Sequence, residues 1–249
     1  MKKLLWLGLA AVVALSLFAT SCNSTPQAAT VRVATDATWP PFESVNEQTK
    51  QIEGFDIDLL NAIAAKENLT IEYVNVAFDP LLAGMAEGQY DAAISSITIL
   101  PERQKDMLFT NPYFEAGQMV SVRIENTTIK SQNDLGGKRV GAQIATTGAI
   151  EVGKIAGATL KTYDDIGLAF QDLMNGQIDA LVCDNPVALS YVGKNSTKLK
   201  TVGSTFTDEN YGIAVAKGKT DLLNRLNSGL KKIQAEGLID QLSAKWLEK

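Results

Sequence analysis

Histidine is absent from the chain. That removes Ser-His and Cys-His nucleophile pairs, the imidazole general base and zinc sites built on imidazole, and with them most common hydrolase mechanisms. Cysteine is scarce: only Cys22 and Cys183 occur. An excess of basic residues is also lacking, and a net charge of −5 argues against nucleic acid or an anionic membrane as partner. The longest apolar run, residues 4–18, falls short of the roughly 20 residues a membrane-spanning helix needs. What remains is a chain with an ordinary apolar fraction of 45%, long enough for one large domain or two lobes.

Lys2 and Lys3, the run to Phe18 and the small residues Ala19-Thr20-Ser21 have the form of a secretory signal ending at Cys22. Cys22 sits as in a bacterial lipoprotein processing site, with Ala19 where that pattern more often has Leu. Residues 1–22 are therefore expected to be a lipoprotein signal peptide with lipid on Cys22, and residues 23–30 have tether composition. If Cys22 carries lipid, Cys183 has no disulfide partner and packs as a small apolar residue in a strand.

The stretch that organises the rest is Asp91-Ala-Ala-Ile-Ser95-Ser96-Ile-Thr98, followed by Pro101-Glu102-Arg103. A short apolar strand ends in hydroxyls, and Pro101 starts a short helix. Three hydroxyls and a guanidinium gather there, a donor set suited to a carboxylate. A polar strand end with a surface Arg would explain the same residues. The chain, however, contains a second such piece. Leu82 to Ala92 (LAGMAEGQYDA) and Phe170 to Ala180 (FQDLMNGQIDA) both read as helix, Gly-Gln turn and strand; the second strand ends at Asp184. In open α/β sheets ligands sit at the carboxyl ends of strands. Arg103 for a carboxylate and Asp184 for an ammonium are what a zwitterionic amino acid requires.

Along the chain, Val31 to Thr35 alternates as a strand. Asp36-Ala-Thr-Trp39-Pro40-Pro41 then makes an extended loop presenting Asp36 and Trp39. Phe55, Leu59, Ala62 and Ile63 mark a helix face, with Asp56 and Asp58 read as favourable first-turn charges rather than as metal ligands. Ile71 to Val76 is the next strand, and Phe78 precedes a helix starting at Asp79-Pro80. The segment 113–117 is expected to cross into a second lobe. In that lobe, Thr146 and Thr147 open a helix after the strand 140–144, where capping or anion binding would each account for them. Residues 211–216 are expected to return as a strand of the first lobe. Leu222, Leu226, Leu230 and Ile233 mark an amphipathic helix, with Trp246 packing the last helix onto the first lobe.

Asp36-Ala-Thr-Trp39-Pro-Pro-Phe42-Glu43, Gly54-Phe-Asp-Ile-Asp-Leu59, Ser95-Ser-Ile-Thr98 with Arg103, and Phe109-Thr-Asn-Pro-Tyr113 together resemble the solute-binding proteins of polar amino-acid ABC transporters. The likeness runs from about Val31 to the carboxyl terminus. It implies the α/β fold of type II periplasmic binding proteins: two Rossmann-like lobes joined by two crossing strands. Lobe 1 would be 31–115 plus 210–249 and lobe 2 would be 116–209, with hinges at 113–117 and 205–210. The implied activity is binding, not catalysis, by an extracytoplasmic, lipid-anchored monomer that uses no cofactor or metal and delivers its ligand to a membrane permease.

Carried over by position, Arg103 would pair with the ligand carboxylate, helped by Ser96, Thr98 and Thr147. Asp184 would take the α-ammonium with acceptors around Ser95 and Thr98. Trp39 and Phe78 would sandwich the ligand side chain, with Asp36 at its tip and Gln143 at a position that varies with specificity. Asp36 would then be left over as an unpaired buried carboxylate, a costly state that a cationic ligand relieves. Arginine is expected ahead of lysine because guanidinium stacks on aromatic rings; glutamine is the alternative. A reading of another class is a lyase of cyclohexadienyl dehydratase type, which needs a general acid that Asp36 or Glu43 would have to supply. A sensor handing its signal to a receptor would need a separate partner.

Overall fold

The computed structural model describes residues 29–247. The expected signal peptide, the lipidation site Cys22 and most of the tether lie outside the described residues. The first strand begins two residues earlier than expected, because parallel pairing carries it back to Ala29 opposite Leu69.

In chain order the elements are β1 (Ala29–Thr35), β2 (Thr38–Trp39), β3 (Glu43–Val45), β4 (Ile52–Glu53), α1 (Phe55–Glu67), β5 (Leu69–Asn75), α2 (Phe78–Ala86), β6 (Ala92–Ala93), α3 (Pro101–Gln104), β7 (Met107–Phe109), β8 (Phe114–Ala116) and β9 (Gln118–Arg123). After a single 3-10 turn at Gln132–Asp134 come β10 (Arg139–Gln143), α4 (Thr147–Lys154), β11 (Thr159–Tyr163), α5 (Ile166–Met174), β12 (Ala180–Asp184), α6 (Asn185–Lys194) and β13 (Leu199–Val202). The chain closes with β14 (Glu209–Tyr211), β15 (Ala214–Ala216), α7 (Thr220–Ala235) and α8 (Leu238–Trp246).

Two five-stranded sheets result, ordered β5-β1-β6-β15-β7 and β11-β10-β12-β9-β13. Each has a parallel trio on one side and antiparallel strands on the other. The duplicated sequence accounts for this likeness. Gly88 and Gly176 both take φ near +70° after their helices, a conformation glycine adopts without strain. The Asp that follows each turn accepts the backbone N–H of an Arg in the neighbouring strand: Asp91 from Arg32 at 2.8 Å and Asp179 from Arg139 at 2.9 Å.

Between the sheets, β8 pairs antiparallel with β14 as the crossing ribbon. The segment expected to return as one strand is thus divided: β14 belongs to the ribbon and only β15 joins the first sheet. Phe42, Phe55, Tyr113, Phe114 and Tyr211 pack around the ribbon with ring centroids 5.0 to 6.4 Å apart. Trp246 on α8 fastens to the first lobe as expected, its indole N–H donating to Asp58 at 2.8 Å.

Gly117 ends the β8 crossing against the other connection. A Cβ there would lie 2.0 Å from the Thr207 carbonyl oxygen. Gly117→Ala must therefore force the two crossings apart, at a cost of about 1–3 kcal/mol by the general scale for overpacking. Thermal denaturation should show a midpoint several degrees lower; an unchanged midpoint would mean that the crossings are not held this tightly.

Candidate functional site

The strands β1, β6, β10 and β12 all end at the space between the lobes, as their parallel direction dictates. That cavity is lined from one side by Asp36, Trp39, Phe78, Ser95, Ser96, Thr98 and Arg103, and from the other by Gln143, Thr146, Thr147 and Asp184. All of these residues are buried.

Arg103 stands on the one-turn helix that Pro101 opens. Its Nη1 donates to the Thr98 carbonyl at 2.8 Å and its Nη2 crosses the gap to the Ala145 carbonyl at 3.0 Å. The guanidinium lies over the Phe78 ring, 5.4 Å from its centroid. Burial pushes its pKa down to about 10, against the attraction of Asp184 and Glu209, so it stays charged at neutral pH. Two non-glycine residues with left-handed backbone flank it, Ser96 at φ 48° and Ala145 at φ 63°. Such conformations cost about 1–3 kcal/mol and collect at binding sites. The Ser96 hydroxyl is buried without a protein partner, free to serve a ligand.

Asp184 lies at the end of β12. Its Oδ1 accepts from Gln118 Nε2 at 2.7 Å, and its Oδ2 accepts a short hydrogen bond from the Tyr211 hydroxyl. Burial, then the nearby charge of Glu209, raise its pKa to about 7; Tyr211, Gln118 and Arg103 hold it down. The sequence reading missed Gln118, Glu209 and Tyr211. Alternation along β14 puts residues 209 and 211 on one face of the crossing strand, and that spacing was the available signal.

The two threonines require a correction. Thr98, by hydroxyl or backbone, and Thr147 were expected to help bind a carboxylate, with acceptors around Thr98 also serving the ammonium. As hydroxyls both donate to Glu209 Oε2, at 2.7 and 2.8 Å, which leaves only the acceptor role. A hydroxyl has one hydrogen, so each offers only lone pairs to anything else, and Thr147 Oγ1 already accepts from Gln118 Nε2 at 3.0 Å, which leaves it one. The backbone N–H of Thr147, in the first turn of α4 where no intrahelical acceptor exists, is the donor left on that side. Thr146 is the N-cap of α4: it accepts from the Ala149 N–H at 3.3 Å and donates to the Gln143 carbonyl at 2.7 Å.

Asp36 also departs from expectation. It is not an unpaired carboxylate, because Oδ1 accepts from the Thr38 hydroxyl at 2.8 Å and Oδ2 from the Phe78 N–H at 3.1 Å and Gln143 Nε2 at 2.7 Å. Phe78 is accordingly the first residue of α2, not the residue before it. Burial nonetheless raises the Asp36 pKa. Gln143 gives both amide hydrogens away, to Asp36 and to the Asp164 carbonyl at 2.9 Å, and leaves Oε1 buried without a partner. This end of the cavity presents acceptors only.

Behind the serines lies a second layer. Asp56 is wholly buried rather than a solvated helix-end charge; it accepts from the Ser96 N–H and the Tyr113 hydroxyl, both at 2.8 Å. Glu43 accepts from Ser95 Oγ at 3.0 Å. Burial and the Asp56 charge push the Glu43 pKa well up, and Glu43 hydrogen-bonds Asp56. A proton held on Glu43 and shared with Asp56 accounts for the one oxygen of each that finds no other partner. The pair fixes Ser95 and Ser96 from below.

The family of bacterial extracellular solute-binding proteins, family 3, matches residues 31–249. The putative ABC transporter arginine-binding protein 2 of Escherichia coli (strain K12) is 36% identical over 256 aligned residues, covering 100% of both chains. An ancestral arginine-binding protein solved with arginine superposes with a TM-score of 0.84 at 42% identity, over 88% of this chain and 99% of the other. An ancestral arginine-binding protein solved with glutamine matches at TM-score 0.84 and 43% identity, over 88% and 98%.

Proposed function

Because the chain belongs to the bacterial extracellular solute-binding proteins, family 3, we propose that it is the extracytoplasmic substrate-binding component of an ABC importer. It holds a free basic L-amino acid between its lobes, arginine ahead of lysine, and hands it to a membrane permease. The observation that carries this reading is the meeting of opposite charges in one buried cavity, with Arg103 on one lobe and Asp184 on the other. Arg103, the Ser96 hydroxyl and the Thr147 N–H take the α-carboxylate, and Asp184 takes the α-ammonium. Trp39 and Phe78 flank the side chain, where a cation gains about 0.5–2 kcal/mol from aromatic faces. Contacts from both lobes exist only in the closed form, so ligand shifts the population toward it. The sequence pattern at Cys22 supports a lipid anchor holding the protein outside the cytoplasm, and among the described residues no helix is long and apolar enough to cross a membrane.

The case for a cationic side chain rests on charge and on polarity. Asp36, Asp184 and Glu209 are buried at the cleft against one buried cation, Arg103. The tip of the cavity offers Asp36 and Gln143 Oε1, acceptors that suit a donor-only guanidinium or ammonium; the oxygen of a glutamine amide would face a like dipole. A relative bound to glutamine keeps that amino acid as the second reading. Calorimetry of the purified protein against the amino-acid set should give arginine as the tightest ligand, and tight glutamine binding with no arginine signal would overturn the assignment. Asp36→Asn should weaken arginine by about tenfold to a hundredfold, the range of a charge-assisted hydrogen bond, while glutamine changes little.

A further inference from the structure

Glu209 has no place in the binding scheme above, yet four side chains converge on it. Its Oε2 accepts from Thr98 of the first lobe and Thr147 of the second; its Oε1 accepts from the Thr207 hydroxyl at 2.9 Å and Gln118 Nε2 at 3.1 Å. A carboxylate has about four lone-pair sites, and four donors face them, with Gln118 Nε2 sharing its two hydrogens among Glu209, Asp184 and Thr147 Oγ1. One oxygen thus receives a hydrogen bond from each lobe while its own backbone lies on the crossing strand β14. Hydrogen bonds to a carboxylate are short and strong, and this pair spans the gap directly.

Resting on the amino-acid reading above, we propose that Glu209 is a positioning residue for the ligand ammonium. By taking the hydrogens of Thr98 and Thr147 it turns both hydroxyls into acceptors that face the same ammonium as Asp184, and it ties this polarity to lobe closure. Thr98 and Thr147 line the cavity, whereas Glu209 acts through them. Without the carboxylate neither hydrogen has its acceptor, and each hydroxyl can point it at the ammonium, Thr147 keeping only the bond it accepts from Gln118 Nε2. The effect of Glu209 is therefore specific to ligands that carry an α-amine.

The test uses two ligands and two variants of the full mature protein. L-Arginine carries carboxylate, amine and guanidinium; 5-guanidinopentanoate lacks only the amine. Calorimetry or thermal shift on wild type, Glu209→Gln and Thr147→Val gives the expected pattern. Each variant loses about tenfold or more for arginine, the scale of a charge-assisted contact, and less than about threefold for 5-guanidinopentanoate. Thr147→Val is close in shape and keeps the backbone N–H, so it reports even if Glu209→Gln does not fold. Equal losses for both ligands would reduce Glu209 to a structural part of the hinge and overturn the proposal, as would unchanged arginine affinity in both variants. A wild type that binds no amino acid would instead overturn the ligand reading itself, and that arm is read before any variant.

Discussion

Arg103→Ala is expected to abolish amino-acid binding while leaving a folded protein. The guanidinium is desolvated, its pKa pushed down to about 10, so the folded chain without ligand already bears the cost of burying it. Removing it leaves an incoming carboxylate with a hydroxyl and one backbone N–H in a buried cavity. Breaking a buried pair by deleting one partner costs about 3–5 kcal/mol, or roughly 10²- to 10⁴-fold in affinity. Arg103→Lys should recover only part of this, because an ammonium keeps the charge but cannot make the forked contact. The variant also loses the bond from Arg103 to the Ala145 carbonyl, which joins the lobes without ligand. Calorimetry checks the affinity and thermal denaturation checks the fold. Arginine binding within tenfold of wild type would show that the carboxylate is held elsewhere.

Asp184 gives the second large effect and a pH signature. In the folded protein it titrates at about 7 instead of 3.8, chiefly because it is buried and then because Glu209 is near. The sign follows from which form binds: an ammonium favours the carboxylate, so binding below pH 7 must expel a proton. Affinity is therefore expected to fall by up to about tenfold per pH unit as pH drops below 7, the slope of a single linked proton. The same shift acts oppositely on the ligand-free fold. A carboxyl whose folded pKa is raised contributes stability that is full below its unfolded pKa of 3.8 and lost as pH rises through about 7. Asp56, raised to about 6, adds to this trend. The rise in melting temperature caused by ligand should thus grow between pH 5 and 8. Asp184→Asn should weaken binding by about 10²-fold or more, since it leaves a buried ammonium without its counter-ion, and should remove most of the pH slope. Calorimetry across that range measures both; an equally steep slope in the variant would assign the proton to another group.

Much of the site was legible because its residues lie in short runs. Asp36 and Trp39 follow one strand, Ser95 to Thr98 follow another, and each side chain inherits its direction from the strand end that carries it. The duplicated helix-turn-strand was legible for the same local reason: Gly88 and Gly176 are fixed by backbone conformation, Asp91 and Asp179 by an adjacent strand N–H. Glu209 was not. It belongs to a three-residue crossing strand, and the hydroxyls it receives come from 111 and 62 residues away. No local pattern carries that information. The polarity of the Thr147 hydroxyl was hidden with it, and that of Thr98 was left open between donor and acceptor, because a hydroxyl's donor direction depends on what stands opposite. Asp56 misled in the same way: a carboxylate in a first helical turn suits the helix dipole, and only the tertiary structure puts Ser96, Tyr113 and Glu43 around it.

The central claim is that one free amino acid is clasped by its two charged ends, carboxylate to one lobe and ammonium to the other. A crystal structure of the protein grown with L-arginine tests it most directly. The account predicts density in the cavity between the lobes, with the carboxylate on Arg103, the ammonium on Asp184 flanked by the Thr98 and Thr147 oxygens, and the guanidinium beyond Trp39 and Phe78 toward Asp36. Arginine bound in the reverse sense, with its guanidinium at Asp184, or an empty cavity at saturating ligand, would contradict it.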